Sequence, residues 1–214
     1  MVAGTDETLY DAWRSGDNES GRALFERHFD ALFRFFENKA GGGDVADLVQ
    51  RTFLACVEAR DRFRGASSFR TFLYSIARHE LSGFYRARRR GAAVDFGVSS
   101  VADLGATPST LVRQRSEHAA LSSALQSLPV DLQIAVELRF WEGLSGPELA
   151  AVLDVAEGTV RSRLRRALEG LRDALASSTE GARLCPEHEA DLEAWAAQLA
   201  ATLKHDEPAH CSKQ

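Results

Sequence analysis

Residues 145–175 read SGPELAAVLDVAEGTVRSRLRRALEGLRDAL, a stretch that holds two helices and the turn between them. Ser145-Gly146-Pro147-Glu148 has the spacing of a capping box, in which a hydroxyl residue and a glutamate three positions on satisfy backbone N–H groups at a helix start. A short helix follows, and Asp154 marks a turn, because aspartate tolerates a left-handed backbone better than most residues other than glycine. The longer helix then sets Val160, Leu164, Leu168, Leu171 and Leu175 at three- and four-residue steps along one side. Thr159, Arg161, Ser162, Arg165 and Arg166 fall elsewhere, on a face that points outward. Short helix, tight turn and arginine-bearing helix together have helix-turn-helix spacing. Guanidinium groups bond guanine edges or phosphates, and such a helix enters the major groove by its first turns. A solvated basic face is what an isolated arginine-rich helix would suggest; the capped helix and turn before it favour duplex reading.

Working outward, almost every apolar segment of the 214-residue chain has helical spacing, and no sustained period-2 alternation occurs. The expected fold is all-α. Leu24, Phe25, Phe29, Leu32, Phe33 and Phe36 form one stripe, broken by Gly41-Gly42-Gly43. Asp44 then caps a helix whose Val45, Leu48, Val49, Thr52, Phe53 and Cys56 face the core. A long helix follows over residues 69–90, with Phe69, Phe72, Leu73, Ile76 and Phe84 as its core face. Residues 91–114, rich in glycine and small residues without periodicity, read as a linker. Three helical segments come next, one with Pro129 in its first turn. The spacing predicts a first domain over 5–91, a flexible linker over 92–114, a second domain over 115–177 and an acidic extension over 178–214.

Charge is blocked along the chain. Residues 1–50 carry ten acids against five bases, 51–91 carry ten arginines against three acids, and 177–214 carry seven acids against three bases. The net charge of -5 therefore hides a basic middle suited to local contact with nucleic acid. On the long helix Arg70, Tyr74, Arg78, Tyr85 and Arg89 interleave cations with aromatics, a pattern suited to unpaired nucleic acid: arginines hold phosphates and rings stack on bases at about 1–3 kcal/mol each. Phe63 and Arg64, just before that helix, sit where a flipped base can be received. Asp47, Gln50, Arg51 and Leu54 make a polar face with one apolar anchor, the character of a protein-partner surface.

Three scattered cysteines argue against a disulfide framework and for a reducing compartment. No membrane span or basic-apolar leader pattern is present, so a cytoplasmic location without membrane insertion is expected. In the extension, Leu192, Trp195, Ala196, Leu199 and Leu203 form an apolar helical stripe that should dock on something. Cys185, His188, His210 and Cys211 flank it as metal-ligand candidates, although shared coordination demands back-folding. The competing reading is an acidic helix covering a basic surface, with incidental cysteines and histidines.

Over residues 5–176 these segments resemble the extracytoplasmic-function (ECF) RNA polymerase sigma factors of the sigma-70 family. Residues 47–54, DLVQRTFL, are similar to the family's core-polymerase-binding segment, which implies that Asp47, Gln50, Arg51 and Leu54 meet the polymerase clamp. Residues 61–65, DRFRG, and 68–78, SFRTFLYSIAR, are similar to the region that melts and reads the minus-10 element. Leu128-Pro129 and residues 158–167, GTVRSRLRRA, are similar to the domain that reads the minus-35 element. Phe72, Val57, His79 and Asp154 depart from the family's usual residues. The resemblance implies core RNA polymerase and promoter DNA as partners, leaves an anti-sigma factor open as another, and implies no cofactor and no catalysis. A stand-alone helix-turn-helix regulator is the competing function, and a nucleic-acid enzyme a more distant one.

Overall fold

The computed structural model describes residues 4–40, 43–62, 67–89, 94–105, 117–185 and 192–205. Among them every regular element is helical, as expected, apart from one isolated bridge between Ser100 and Pro129. The chain forms two compact units: Met1–Val94 with Ala151–Asp154, and Asp95–Ala150 with Val155–Gln214.

The first unit contains α1 (Asp6–Arg14), α2 (Asn18–Glu37), α3 (Val45–Ala59) and α4 (Phe69–Arg88). Oxygen side chains accept from free N–H groups at three of the four helix starts: Thr5 for α1, Asp17 for α2 and Ser68 for α4. Asp6 ties α1 to α2 by accepting from Arg27 and pairing with His28, each at 2.7 Å. Leu9, Leu24, Leu32, Phe36, Leu48, Cys56, Leu73 and Leu81 are buried at the centre. Gly21 is a packing requirement, since a Cβ there would lie 2.4 Å from the Trp13 ring.

The second unit contains α5 (Glu117–Ser127), α6 (Val130–Val136), a π-helical turn (Glu137–Trp141), the first part of α7 (Gly146–Leu153), whose last residues from Ala151 group with the first unit, α8 (Glu157–Ala176), α9 (Thr179–Ala182) and α10 (Leu192–His205). The glutamate half of the capping box forms: the Ser145 N–H and hydroxyl both donate to the Glu148 carboxylate, at 2.8 and 2.7 Å. Asp154 adopts φ 54°, the left-handed turn the sequence suggests. Pro129 precedes α6 as its N-cap rather than lying in its first turn.

Two segments behave differently from expectation. Residues 95–105, read as linker, fold onto the second unit: Phe96, Val101 and Leu104 are buried. Backbone carbonyls of Phe96 and Ser99 accept from the N–H groups of Asp131 and Val130, at 2.9 and 3.0 Å. These are among the donors a helix start leaves unpaired, and Pro129 has no side-chain oxygen to satisfy them. The extension docks too, through apolar contact rather than charge. Trp195, Ala196 and Leu199 of α10 join a core with Leu125, Leu132, Val136, Leu168, Leu171 and Leu175, and the Trp195 indole donates to the Leu184 carbonyl at 2.6 Å. The helix lies against the leucine side of α8, not over its arginines.

Candidate nucleic-acid and polymerase interfaces

The candidates for duplex reading lie on α8. Val160, Leu164, Ala167, Leu168, Leu171 and Leu175 are buried, which turns Thr159, Arg161, Ser162, Arg165 and Arg166 outward, and all five are exposed. Ser162 donates its hydroxyl to the Thr159 carbonyl at 2.9 Å, and Arg165 pairs with Glu169 at 2.9 Å on the exposed surface. The neighbouring Arg163 has another task. It reaches Asp131 on α6 at 3.0 Å, where the carboxylate is 6% exposed, and so fixes α8 against its support. Four arginines in six residues thus divide between holding the helix and facing solvent.

The minus-10 candidates on α4 do not share one fate. Arg89 is exposed just beyond the helix, and Arg70 and Arg78 are partly buried. Tyr74 and Tyr85, expected to stack on bases, are fully buried. Tyr74 packs 5.5 Å from the Phe35 ring, and the Tyr85 hydroxyl donates to the Lys39 carbonyl. Burial pushes the Tyr85 phenol up, keeping it a neutral donor. The cause is a rotation of the core face. Phe69, Leu73, Ala77, Leu81 and Tyr85 form the buried i, i+4 row, whereas Phe72, Ile76 and Phe84 are only partly buried. Tyr74, eleven residues before Tyr85, lies within about 20° of it at 100° per residue. Both tyrosines therefore fall on the buried side. Phe63 and Arg64 lie outside the described residues.

On α3 the expected partner face is open. Asp47, Gln50, Arg51 and Leu54 are exposed, with Asp47 and Arg51 paired at 2.8 Å. Leu54 is 56% exposed, and Val57 and Phe29 are each 45% exposed. The sequence placed Phe29 in a core stripe; α2 instead buries Leu24, His28, Leu32, Phe35 and Phe36. Phe29 borders a groove of about 390 Å³ that Phe25, Phe53 and Trp13 also line, and its ring lies 6.5 Å from that of Phe53. An i, i+4 aromatic pair such as Phe25 and Phe29 satisfies either a core stripe or a groove wall, so periodicity alone does not separate the two.

Of the metal-ligand candidates, Cys185 is partly buried with its thiol directed at the Arg172 carbonyl, 3.7 Å away. His188, His210 and Cys211 lie outside the described residues. Among those that are described, no group of three or more His, Cys, Asp or Glu is arranged to hold a metal ion, and no helix is long and apolar enough to cross a membrane.

Two helical modules, one presenting a helix-turn-helix and the other an open polar face with an apolar anchor, define a DNA-binding protein of helix-turn-helix type. Comparison with known proteins refines that class. The family profile "Sigma-70 region 2" matches residues 24–91, and "Sigma-70, region 4" matches residues 118–171. A protein of Escherichia coli K12 described as "ECF RNA polymerase sigma-E factor" is 32% identical over 176 residues, spanning 78% of this chain and 92% of that one. Its counterpart in Haemophilus influenzae is 29% identical over 174 residues, spanning 77% and 92%. Among solved structures, CnrH in complex with the cytosolic domain of CnrY matches with a TM-score of 0.61 at 26% identity, covering 82% of this chain and all of that one. Sigma factor RpoE in complex with the anti-sigma factor NepR from Bartonella quintana matches with a TM-score of 0.56 at 25% identity, covering 72% and 95%. The chain belongs to the ECF sigma factors of the sigma-70 family. It directs core RNA polymerase to promoters for initiation, which sets aside the stand-alone regulator; sigma factors are initiation factors rather than catalysts on their own.

Proposed function

We propose that this sigma factor divides its work among three surfaces. Asp47, Gln50, Arg51 and Leu54 on α3, extended by Val57 and Phe29, dock on core polymerase: the apolar side chains supply buried contact and the polar ones orientation. Arg70, Arg78 and Arg89, with Phe63 and Arg64 before α4, hold the melted minus-10 strand by phosphate contact and base capture. Thr159, Arg161, Ser162, Arg165 and Arg166 read the minus-35 duplex in the major groove. The observation that carries this assignment is the division of α8 into a packed leucine side and an exposed arginine side immediately after the left-handed turn at Asp154. Tyr74 and Tyr85 support the fold instead.

In this reading the chain acts in the cytoplasm and makes and breaks no bond; positioning and strand capture are its mechanism. One structural neighbour, RpoE of Bartonella quintana, was solved with the anti-sigma factor NepR, and an anti-sigma factor is the corresponding partner class here. The open apolar positions Phe29, Leu54 and Val57 are a surface such a partner would compete for.

The test is run-off transcription from a promoter library with purified core polymerase. Transcripts from a defined promoter class only when this protein is added are expected, with Leu54→Asp losing polymerase binding and Arg161→Ala losing minus-35 preference. Tight duplex binding without any transcript would overturn the assignment.

A further inference from the structure

The arginines of α8 are not equivalent. Arg161 and Arg166 pair with no acid among the described residues. Arg163 is held by Asp131, and Arg165 is held by Glu169, its Nε donating to the carboxylate at 2.9 Å. At 100° per residue, Glu169 lies about 20° from Ser162, about 40° from Arg165 and about 60° from Arg166 around the helix axis. It therefore stands on the same outward face, one turn beyond both arginines. Other acids of α8 are engaged elsewhere. Asp173 pairs with its neighbour Arg172 at 2.8 Å, and the Glu157 carboxylate is turned toward Gly146 at the start of α7, 3.8 Å from where a Cβ there would lie.

Helix stability does not account for the Arg165–Glu169 pair. An acid four residues before a base is the more favourable order on a helix, because it follows the helix dipole; here the base comes first. Both side chains are open to water, 79% and 41% exposed, and an exposed pair of this kind contributes little. Placement against DNA gives it a different weight. The major groove is about 12 Å wide, and Glu169 lies about 12 Å beyond Arg161 along the axis. With Arg161 at a base edge, Glu169 stands at the phosphate rim. A phosphate oxygen is then no better an acceptor for Arg165 than the carboxylate already in place, since both are anionic. A guanine edge presented in register offers two acceptors spaced for the guanidinium fork.

We infer that Glu169 is a specificity-determining residue for minus-35 recognition: it keeps Arg165 from the phosphates of arbitrary duplex and releases it where Arg161, Ser162 and Arg166 hold α8 in register on the element. Non-specific affinity follows the number of phosphates neutralised, so withholding one arginine lowers it, while base bonding on the element is retained. The inference rests on the reading that α8 enters the major groove by its outward face.

The test uses full-length protein and two duplexes of equal length. One carries the minus-35 element of a promoter selected by run-off transcription, and the other carries the same bases scrambled. Binding is followed by fluorescence anisotropy at several salt concentrations for wild type, Glu169→Gln, Glu169→Asp, Arg165→Ala and the double change Arg165→Ala with Glu169→Gln. Glu169→Gln is expected to tighten binding to the scrambled duplex about fivefold at low salt and to steepen its salt dependence by about one phosphate, with binding to the element changed by no more than about twofold. The ratio of the two affinities thus falls. Glu169→Asp keeps the charge and is expected to keep most of that ratio. In the double change the ratio is expected to stay where Arg165→Ala alone sets it. An equal gain on both duplexes, no gain on either, or the same fall in ratio without Arg165 would overturn the proposal. Wild-type protein that binds the two duplexes equally would instead overturn the minus-35 reading of α8, a distinct result. Thermal melting of Glu169→Gln, expected to match wild type, separates altered selectivity from altered folding.

Discussion

Helices α4 and α8 are each twenty residues long and each carries arginines among apolar positions, yet only α8 keeps the face its sequence suggests. On α8 the apolar residues are aliphatic and confined to one side, so everything else is exposed by default. On α4 the apolar residues surround much of the helix: Phe69, Phe72, Leu73, Tyr74, Ile76, Phe84 and Tyr85 leave no polar arc wide enough to orient it. Which aromatics go inward is then decided by what α2 and the chain after it offer. Phe35 offers a ring to Tyr74, and the Lys39 carbonyl offers an acceptor to Tyr85. An aromatic with a hydroxyl suits the interior as well as a nucleic-acid surface, provided the hydroxyl finds a partner.

The comparison breaks most sharply at Tyr85. Tyr85→Ala should cost about 3–5 kcal/mol of stability, the usual range for deleting a large buried ring, seen as a lowered denaturant midpoint for the first unit. A stable Tyr85→Ala protein that melts promoters poorly would return the tyrosine to the DNA surface. The same distinction within α8 comes from Arg163 and its neighbours. Arg163→Ala leaves Asp131 buried without its cation, and because the guanidinium is 23% exposed the loss should be smaller than for a fully buried pair, about 2 kcal/mol, read by thermal melting. Arg161→Ala and Arg166→Ala should leave the melting temperature unchanged and weaken minus-35 duplex binding by about 1–3 kcal/mol for a base contact, or reduce the salt slope by about one for a phosphate contact. Titrations at several salt concentrations tell these apart.

The smallest effect concerns Cys56, on the buried side of α3 where that helix packs against α4. Burial pushes its thiol up to about 12, from a model-compound value near 9. Above pH 9 the unfolded chain releases this proton while the native chain keeps it, so stability falls as pH rises from 9 towards 12. At pH 10 the loss should be about 1 kcal/mol. Cys56→Ala should remove that part of the alkaline slope in denaturant titrations at pH 8 and pH 10; an unchanged slope would place the thiol in a wetter site.

Much of the molecule was legible where side chains themselves carry the signal. The Ser145–Glu148 box, the turn at Asp154, the two sides of α8 and the exposed set Asp47, Gln50, Arg51 and Leu54 all follow from residue type and spacing. The anchoring of residues 95–105 was not, because the groups that cap α6 are backbone carbonyls of Phe96 and Ser99, which leave no mark in composition. Only Phe96, Val101 and Leu104 hint at burial, and they are too few to show a period. For the extension, the stripe through Trp195 and Leu199 announced docking but not its target. Acidity pointed to a basic surface, whereas the apolar area of Trp195 and its neighbours joined a leucine core.

Trp195 also makes the protein its own optical reporter. The chain has three tryptophans: Trp13 is buried in the first unit, Trp195 is buried in the second with its indole N–H bonded to Leu184, and Trp141 is partly buried nearby. In a Trp141→Phe background one emitter remains in each unit. Red-shifted emission that disappears with Trp195→Phe would register departure of α10 from its leucine bed, while Trp13 continues to report on the unit that holds α4. Binding of polymerase, promoter or a regulatory protein could then be followed by intrinsic fluorescence, with the response assigned to one unit or the other.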